Sequence, residues 1–426
     1  MADLSTQPYK GTRDFYPEDM RLQRYIFNVW RQVVERFGYQ EYDAPMLELT
    51  DLYRAKTGEE IVNEQSYTFN DRGGREVTIR PEMTPSLARM VAARQQELAY
   101  PLRWYSIGNR WRYERPQRGR SREFWQIDVD LLGVDSIEGE VEIIRTAESI
   151  MRAFGATDEM FSIRINSRKL MSLLLGEHLK LDVEKSHRVS KLVDRKSKMT
   201  EQAFNAQVQS VLGSDTAKLM NLLSIGSIDE LPATVIESGV VEELRTLIDK
   251  LGDHGIKNLE FDLTLMRGFD YYTAVVFEIF DQDPANKRSI FGGGRYDELT
   301  TIFDVPAVPA VGYGIGDVGM RNFLEAHKLI PSLASSTKVY AVVVGEYLQA
   351  AQRLATELRQ QGINVAVDVT GRKVDAQLKV AIKNEIRYAI FVGKEEVGSG
   401  KYALKDLAST KEEKLSVAQI VKRLLK

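Results

Sequence analysis

Apolar residues recur at helical spacing near the start of the chain. Between residues 21 and 37 the run is amphipathic, with Ile26, Trp30 and Val34 on related faces of a helix. The pattern predicts a helix over 21–37. An extended segment over 39–45 is expected to follow, and it ends at a proline, which cannot donate a ladder hydrogen bond.

Extended and amphipathic runs then follow one another up to residue 154. A Gly73-Gly74 pair separates two of the extended runs and predicts the turn of a hairpin. Together the patterns predict strands over 66–69, 76–80, 102–109 and 123–132, and helices over 84–94 and 139–154.

Two later regions differ in character. Residues 170–255 are polar, low in aromatic residues and helical in pattern, which predicts an inserted helical domain. Near the end, strands over 339–344, 365–369 and 388–392 alternate with helices over 347–361 and 375–385, which predicts an α/β domain with a partly parallel sheet. We therefore expect a core (1–169 and 256–328), a helical insertion (170–255), a linker (329–336) and a C-terminal domain (337–426).

Composition narrows the function classes. The chain has 426 residues, 43% hydrophobic and 28% charged, as in globular proteins of two or three domains. Cysteine is absent, which excludes disulfides, thiolate metal sites and a cysteine nucleophile, and the four histidines lack zinc-ligand spacing. The sequence has neither an apolar run of about 18 residues nor a signal peptide, so we expect a cytoplasmic protein.

Charge is distributed unevenly along the chain. The net charge is −3, which argues against a dedicated nucleic-acid binder, but residues 337–426 carry 16 Lys and Arg against 10 Asp and Glu. The other residues carry 42 against 51. A basic block on an acidic body suggests an anionic partner for that block. The alternative is a small domain that lysine and arginine merely keep soluble.

Seven arginines and one glutamate lie between residues 103 and 122. Guanidinium groups stay charged and bind phosphate bidentately, so this segment is a candidate anion site. In an extended segment Arg110 and Arg112 share a face, and Glu114 beside Arg112 could orient a guanidinium. A solvated surface loop is the alternative.

A second candidate cluster lies in the region 259–280, which has strand character. A buried Arg267 in an apolar strand needs an anionic partner, which a ligand or Asp270 could supply. In a regular strand Tyr271 and Tyr272 point to opposite faces, so only one of them is expected to line a pocket with Arg267.

Amide and acidic side chains form a third candidate. Gln126, Asp128 and Asp130 alternate onto one face of the predicted strand over 123–132. Glu82, Gln126 and Asp130 could together bind an ammonium or an imidazole group. Asp128 could instead be an edge or cap residue, and solvated polar surface is the alternative for the whole set.

A glycine triplet stands at 292–294. It would let a backbone approach a ligand closely, but it lacks the Gly-Lys-Ser/Thr ending of a phosphate loop. A tight turn is the ordinary explanation.

Taken together, these motifs resemble those of the histidyl-tRNA synthetases, a family of class II aminoacyl-tRNA synthetases. The resemblance covers almost the whole chain. It rests on an N-terminal signature at 10–14, a motif 1 that ends at Pro45, a motif 2 at 112–126, two histidine-specific signatures at 267–278 and 292–297, and Asp368 with Gly371-Arg372-Lys373 in the C-terminal domain.

The resemblance implies an α+β fold with an antiparallel class II sheet core, a helical insertion and a C-terminal α/β anticodon-binding domain. It also implies an ATP-dependent ligase that attaches histidine to tRNA(His). The histidine carboxylate attacks the α-phosphate of ATP, which gives histidyl-adenylate and pyrophosphate, and a hydroxyl of the terminal adenosine ribose of the tRNA then attacks the acyl carbon. A histidine-sensing regulatory paralogue without tRNA charging is the alternative, which both signatures and the basic C-terminal block disfavour.

Roles for individual residues follow from the same resemblance. Arg112 and Arg267 would be catalytic, one on each side of the α-phosphate, where charge develops. Asp130 and Tyr272 would read the imidazole, with Tyr271 beside them. The implied histidine-binding residues are Glu82, Thr84, Gln126, Asp130, Tyr271, Tyr272 and Tyr296, and the implied ATP-binding residues are Arg112, Glu114, Arg120 and Arg267.

The implied partners are L-histidine, tRNA(His) and a second copy of the chain, which motif 1 would join into a homodimer. Mg²⁺ is expected to arrive with ATP, without a metal ligand from protein side chains. No membrane partner is expected.

The chain departs from the family pattern at motif 3, around Gly312 to Gly316. The family usually places an arginine three residues after the last glycine, where this chain has Gly319. Arg321 lies two residues further on, and on a helix it would be rotated by about 200° and face away from the ATP site. Arg120 in the motif 2 loop is then the candidate replacement.

Overall fold

The computed structural model describes residues 4–55, 64–117, 119–196, 199–266, 271–286 and 289–425. The chain divides into two compact units, one comprising Met1–Asp14 and Tyr25–Ile330, the other Phe15–Arg24 and Pro331–Lys426. Among the described helices, none combines the length and the apolar character that crossing a membrane requires.

Helices and strands alternate in the first part of the chain. In chain order they are α1 (Pro17–Arg36), β1 (Gln40–Glu41), β2 (Leu47–Leu49), α2 (Thr50–Arg54), β3 (Tyr67–Asn70), β4 (Glu76–Ile79), α3 (Thr84–Arg94), β5 (Leu102–Trp111), β6 (Glu123–Leu132), α4 (Glu138–Ala153) and β7 (Phe161–Ser167).

A helical stretch separates β7 from the next strand. It comprises α5 (Arg168–Leu173), a π-helical turn (Leu174–His178), α6 (Val183–Asp194), α7 (Glu201–Leu212), a 3₁₀ turn (Gly213–Asp215), α8 (Thr216–Leu223), a second 3₁₀ turn (Ile228–Glu230), α9 (Ala233–Ile236) and α10 (Gly239–Asp253). The helical pattern of residues 170–255 is thus confirmed as secondary structure.

The strands then return. They are β8 (Leu259–Phe261), β9 (Val275–Asp281), β10 (Ser289–Arg295) and, after a 3₁₀ helix (Leu299–Phe303), β11 (Ala310–Gly316), which α11 (Asp317–Ala326) follows. The last part comprises β12 (Val339–Val343), α12 (Leu348–Gln360), β13 (Val365–Val367), α13 (Val374–Lys383), β14 (Tyr388–Val392), α14 (Lys394–Ser399), β15 (Lys401–Asp406), β16 (Glu412–Ser416) and α15 (Val417–Leu424).

Eight strands form the central sheet, in the order β1-β5-β6-β11-β10-β9-β7-β8. The pairs from β5 through to β7 are antiparallel, and the two edge pairs, β1 with β5 and β7 with β8, are parallel. A separate antiparallel sheet has the order β2-β4-β3. The antiparallel core and the hairpin predicted at Gly73-Gly74 are therefore confirmed.

The apolar side of α1 is buried as its pattern predicts. Ile26, Trp30 and Val34 are fully buried. The helix begins at Pro17, earlier than predicted, because a proline in the first turn sacrifices no intrahelical hydrogen bond. Truncating the Trp30 side chain to alanine would cost about 3–5 kcal/mol, as for large aromatic residues in other cores.

The C-terminal sheet has the order β13-β12-β14-β15-β16. Strand β12 is parallel to both of its neighbours, whereas β14, β15 and β16 pair antiparallel. The predicted α/β alternation with a partly parallel sheet is therefore confirmed. A core of apolar residues including Ala341, Leu354 and Ile390 lies between this sheet and its helices.

Two local predictions are wrong. The triplet Gly292–294 lies within strand β10 and does not form a turn. The region 259–280 is not one strand, because β8 ends at Phe261 and β9 begins only at Val275. Tyr271 and Tyr272 therefore lie outside the strands, where the alternation of faces does not apply.

Candidate functional site

Glycines on one strand make room for polar side chains on the next. In the antiparallel register of β6 and β11, Gln126 pairs with Gly316, Asp128 with Gly314 and Asp130 with Gly312. All six residues line a cavity of about 290 Å³. The intervening Ile127 and Val129 point to the other face and are fully buried in the core, which confirms the predicted alternation along β6.

The glycines of β11 are needed sterically. A Cβ atom on Gly312 would overlap the carboxylate of Asp130, and one on Gly314 would lie 2.6 Å from Gln126 Nε2. A side chain at either position would displace the polar group opposite it. Because the glycines of β11 have no side chains, the polar side chains of β6 have room to lie over that strand and line the cavity.

The glycine triplet of β10 has a related role. A Cβ atom on Gly293 would overlap the carbonyl oxygen of Gly312, and one on Gly294 would lie 2.7 Å from the carbonyl oxygen of Val275. The third glycine, Gly292, lines the cavity. The triplet thus permits close strand packing and leaves the backbone of β10 accessible from the cavity.

Two tyrosine–carboxylate pairs occupy one region of the cavity. The hydroxyl of Tyr271 donates to Glu82 Oε2 at 3.0 Å, and the hydroxyl of Tyr296 donates to Asp130 Oδ1. The two tyrosine rings pack edge to face, with centroids 5.8 Å apart, and Tyr272 packs against Tyr271 at 4.9 Å. These contacts hold donors and acceptors in fixed positions around a mostly buried space.

Burial raises the pKa values of these groups. It raises the pKa of Asp130 to about 8, although the hydrogen bond from Tyr296 partly offsets this effect. It also raises the pKa of Tyr296 well above its usual value, and the nearby Asp130 carboxylate adds to that rise. Burial, together with Glu82, raises the pKa of Tyr271 in the same way. Both tyrosines therefore remain hydrogen-bond donors at neutral pH.

Cationic side chains occupy the other region of the cavity. Arg112 lines it and donates from Nε to the carbonyl oxygen of Pro81 at 2.9 Å, with its guanidinium carbon 5.3 Å from the ring centre of Phe124. Arg120 also lines the cavity, and its Nη1 donates to Glu114 Oε2 at 3.0 Å. Glu114 therefore contacts Arg120, and it is not among the described residues that line the cavity.

Along β6 the cavity thus changes from cationic to acidic. Phe124, beside Arg112, and Asp130, beside Tyr296, are six residues apart on one strand. At about 3.3 Å per residue this corresponds to about 20 Å. An elongated ligand with an anionic end and a cationic or hydrogen-bonding end fits this gradient.

The N-terminal signature contacts the start of β6. The carbonyl oxygen of Gly11 accepts from the backbone N–H of Arg122 at 2.8 Å, and the Arg122 guanidinium donates to the hydroxyl of Tyr9 at 2.8 Å. Arg13 pairs with Asp317 at 2.8 Å, and Asp317 accepts from the backbone of Trp125 at 3.0 Å. The signature therefore supports the strand from which the polar side chains project.

The structure brings most of the predicted site residues together. The residues of that set that line the cavity are Glu82, Thr84, Arg112, Arg120, Gln126, Asp130, Tyr271, Tyr272 and Tyr296. Both Tyr271 and Tyr272 line it, so the prediction that only one of them would is wrong, because neither lies in a strand. Arg267 and Asp270 lie outside the described residues.

Sequence reasoning missed part of the site. Asp128 is neither an edge nor a cap residue: it lines the cavity and pairs at 2.8 Å with Arg110, which is fully buried and not in a solvated loop. Glu278 and Tyr313 also line the cavity. The glycines at 312, 314 and 316 recur at every second position, as the polar residues of β6 do. This shared two-residue period was the available sequence signal that the two strands face the same cavity.

Comparisons with known proteins agree with this geometry. A family model described as "Histidyl-tRNA synthetase" matches residues 11–316, and one described as "Anticodon binding domain" matches residues 338–426. The "Histidine--tRNA ligase" of Leptospira biflexa is 42% identical over 99% of this chain and 98% of its own length.

Solved structures show the same fold. The histidyl-tRNA synthetase from Nostoc sp. PCC 7120 superimposes with a TM-score of 0.81 at 24% identity, covering 99% of this chain and 100% of that one. A Bacillus halodurans protein described as an "ATP phosphoribosyltransferase regulatory subunit/histidyl-tRNA synthetase" has a TM-score of 0.75 at 27% identity, covering 92% of this chain and 99% of that one.

Proposed function

The chain belongs to the histidyl-tRNA synthetase family, and we propose that its polar cavity is where histidine and ATP react. The chain is an ATP-dependent ligase that attaches histidine to tRNA(His) through histidyl-adenylate. A histidine-sensing paralogue is less well supported, because the similarity extends over the full length of a relative named as a ligase. The lining of the cavity supports a specific placement for each of the two small substrates.

Histidine is proposed to lie along β6, with its imidazole at the acidic end. There the carboxyl group of Asp130 can form a hydrogen bond with a ring nitrogen, and the buried Tyr296 fixes the position of that carboxyl group. Gln126 and Glu82 are placed to accept hydrogen bonds from the α-ammonium group. The histidine carboxylate would then point toward Arg112.

The cationic end is proposed to hold the phosphates of ATP. Arg112 would bind the α-phosphate as the carboxylate of histidine attacks it and pyrophosphate leaves, and its charge would stabilise the negative charge that develops in this displacement. Pro81 and Phe124 hold its guanidinium in place. By family resemblance Arg267 would bind the α-phosphate from the other side. Arg120 can leave Glu114 to reach the outer phosphates.

Mg²⁺ is proposed to enter with ATP. Among the described residues, no group of three or more His, Asp or Glu side chains is arranged to hold a metal ion by itself. The metal would therefore be bound mainly by phosphate oxygens, which is the usual arrangement for Mg²⁺ at nucleotide sites.

The C-terminal residues are proposed to bind the tRNA. The anticodon-binding family model matches residues 338–426, and residues 337–426 carry the excess of Lys and Arg over Asp and Glu. The proposed division of the chain is a catalytic core (1–169 and 256–328), a helical insertion (170–255), a linker (329–336) and an anticodon-binding domain (337–426).

A homodimer is also proposed, through the small sheet that follows motif 1. Leu47 and Leu49 on β2 are 45% and 55% exposed, and Phe69 on β3 is 46% exposed. Leu49 and Phe69 flank Val77 in the register of this sheet, and a contiguous exposed apolar patch of this kind is typical of interfaces. Sedimentation at micromolar concentration should show a dimer that Leu47→Asp with Leu49→Asp dissociates, whereas Val183→Asp, at an exposed site elsewhere, should not.

The observation that carries the proposed substrate placement is the pairing of Asp130 with Tyr296 in a cavity that also contains Arg112. In histidine-dependent ATP–pyrophosphate exchange, Asp130→Ala should raise the histidine KM at least tenfold and leave the ATP KM nearly unchanged. Asp281→Ala is a matched control, because Asp281 is buried in β9 but does not line the cavity. An unchanged histidine KM in Asp130→Ala would refute the placement of the imidazole.

A further inference from the structure

Asp128 connects a buried cation to a side chain of the substrate cavity. Its Oδ2 accepts from Arg110 Nη2 at 2.8 Å, and its Oδ1 accepts from Gln126 Nε2 at 2.5 Å. The side chain of Arg110 is fully buried and that of Asp128 is 7% exposed. The three side chains thus form a chain of hydrogen bonds that ends at Gln126 in the cavity.

Glycine makes this chain of contacts possible. In the β5–β6 register Arg110 lies opposite Phe124, not opposite Asp128. Its guanidinium reaches Asp128 by passing over Gly108, where a Cβ atom would lie only 2.7 Å from Arg110 Nη1. The same Nη1 donates to the carbonyl oxygen of Asn109 at 3.0 Å. The guanidinium is therefore held on two sides and anchors the carboxylate.

The contact with Asp128 determines which way the amide of Gln126 faces. A carboxylate bound to a guanidinium only accepts hydrogen bonds, so the amide nitrogen of Gln126 must face it. The amide oxygen, Oε1, is then directed away from Asp128. Gly314 leaves room for this pair, because a Cβ atom at that position would lie 2.6 Å from Gln126 Nε2 and 3.2 Å from Asp128 Oδ1.

We propose that Asp128, anchored by Arg110, is a positioning residue that holds Gln126 with its amide oxygen toward the α-ammonium group of histidine. This inference rests on the proposed function, in which Gln126 contacts that ammonium. An ammonium group has three donors and no acceptor, so it can bond only to the oxygen of the amide. Asp128 would thereby select substrates that carry a free amino group.

The change Asp128→Asn should make the side-chain amide of Gln126 rotate so that its oxygen and nitrogen exchange places. The introduced asparagine can accept from Arg110 through its oxygen and donate from its nitrogen, so Gln126 would turn its own oxygen toward that nitrogen. The NH₂ group of Gln126 would then face the ammonium, donor against donor. We expect the histidine KM to rise about tenfold or more, as for the loss of one hydrogen bond to a charged group.

The change Gln126→Glu provides the decisive control, because a carboxylate can accept a hydrogen bond both from position 128 and from the ammonium group of histidine. Gln126→Glu alone should impair histidine binding, because it places a second carboxylate in contact with Asp128. In the Asp128→Asn background the same change should restore the histidine KM to within about threefold of the unaltered protein. The effect of Gln126→Glu would therefore change sign, a coupling that double-mutant cycles detect.

Histidine analogues that lack either the amino group or the carboxylate test whether Asp128 acts through the amino group. Histidinol has the amino group and lacks the carboxylate, whereas imidazole-4-propionate lacks the amino group. As competitive inhibitors of pyrophosphate exchange, histidinol should lose affinity in Asp128→Asn and imidazole-4-propionate should not. An equal loss for both ligands would mean that Asp128 only supports the fold, and would overturn the proposal.

A further variant serves as a control for misfolding caused by an unpaired buried charge. Asp128→Asn leaves Arg110 without its carboxylate, so Arg110→Met with Asp128→Asn removes the buried charge as well. In that double variant the asparagine is no longer held by a cation and can turn its oxygen toward Gln126 Nε2, so we expect the histidine KM to return to within about threefold of the unaltered protein. If histidine KM stays unchanged in Asp128→Asn while Gln126→Ala raises it, the positioning role is refuted and the proposed function stands. If Gln126→Ala has no effect, the placement of the ammonium itself fails, and this inference fails with it.

Discussion

Arg321 donates from Nε to Glu325 Oε1 at 2.8 Å, one turn further along helix α11. The side chain is thus directed along the outer surface of the helix, and Arg321 is absent from the described residues that line the cavity. Gly319, three residues after the last glycine of β11, lies against strand β10, where a Cβ atom would be 3.0 Å from the carbonyl oxygen of Ile290.

This arrangement predicts different effects for two arginines. Arg321→Ala should leave the ATP KM nearly unchanged, because its side chain pairs with Glu325 and is not among the described residues that line the cavity. Arg120→Ala should raise the ATP KM, since Arg120 lines the cavity and can bind the outer phosphates. Steady-state pyrophosphate exchange at varied ATP checks both variants. A large rise for Arg321→Ala would show that Arg321 does take the place of the motif 3 arginine.

Asp130 should make stability depend on pH. Its pKa is about 8 in the folded protein, against about 3.9 in an unfolded chain, so the folded state holds this proton where the unfolded state has lost it. The stability that Asp130 contributes is therefore complete below about pH 4 and is lost as the pH rises to about 8.

The measurement compares the histidine-free protein with Asp130→Asn. Thermal unfolding midpoints at pH 6 and pH 8 should differ more in the unaltered protein than in the variant, with the lower midpoint at pH 8. Other titrating groups are common to both proteins and cancel in the comparison. An equal pH dependence would mean that Asp130 is ionised in the folded state throughout this range.

Removal of the C-terminal residues should separate the two half-reactions. Deleting residues 337–426 should reduce charging of tRNA far more than histidine-dependent pyrophosphate exchange, because the cavity is formed by residues before this segment. Retained exchange shows that the remaining protein is folded. In the full chain, the affinity for tRNA should also fall steeply as salt rises, as expected for phosphate contacts. Undiminished charging by the truncated protein would contradict the assigned role.

Strands and helices with regular periods could be predicted from the sequence. The alternation of Ile127 and Val129 with polar neighbours was sufficient to place β6 and its two faces. The expectation that only one of Tyr271 and Tyr272 would line the cavity was wrong, because a period of two was applied to residues that lie between strands β8 and β9. The glycine triplet was assigned to a turn because glycine supports turns and close strand packing equally well.

The pair of Arg110 and Asp128 could not have been predicted. The two residues are not opposite each other in the β5–β6 register, and the contact depends on the missing side chain of Gly108. Such a contact follows from three-dimensional packing and leaves no periodic signal. Family resemblance did not indicate it either, since it implied a role for Gln126 but none for Asp128.

The most direct test of the central claim is charging of unfractionated tRNA with each amino acid in turn, alongside ATP–pyrophosphate exchange. We expect that, of the amino acids, only histidine supports pyrophosphate exchange and that only histidine is attached to tRNA, namely to tRNA(His). Exchange shows that the adenylate forms, and attachment shows that it is transferred. A folded protein that binds histidine but leaves tRNA(His) uncharged would contradict the claim and indicate a histidine sensor.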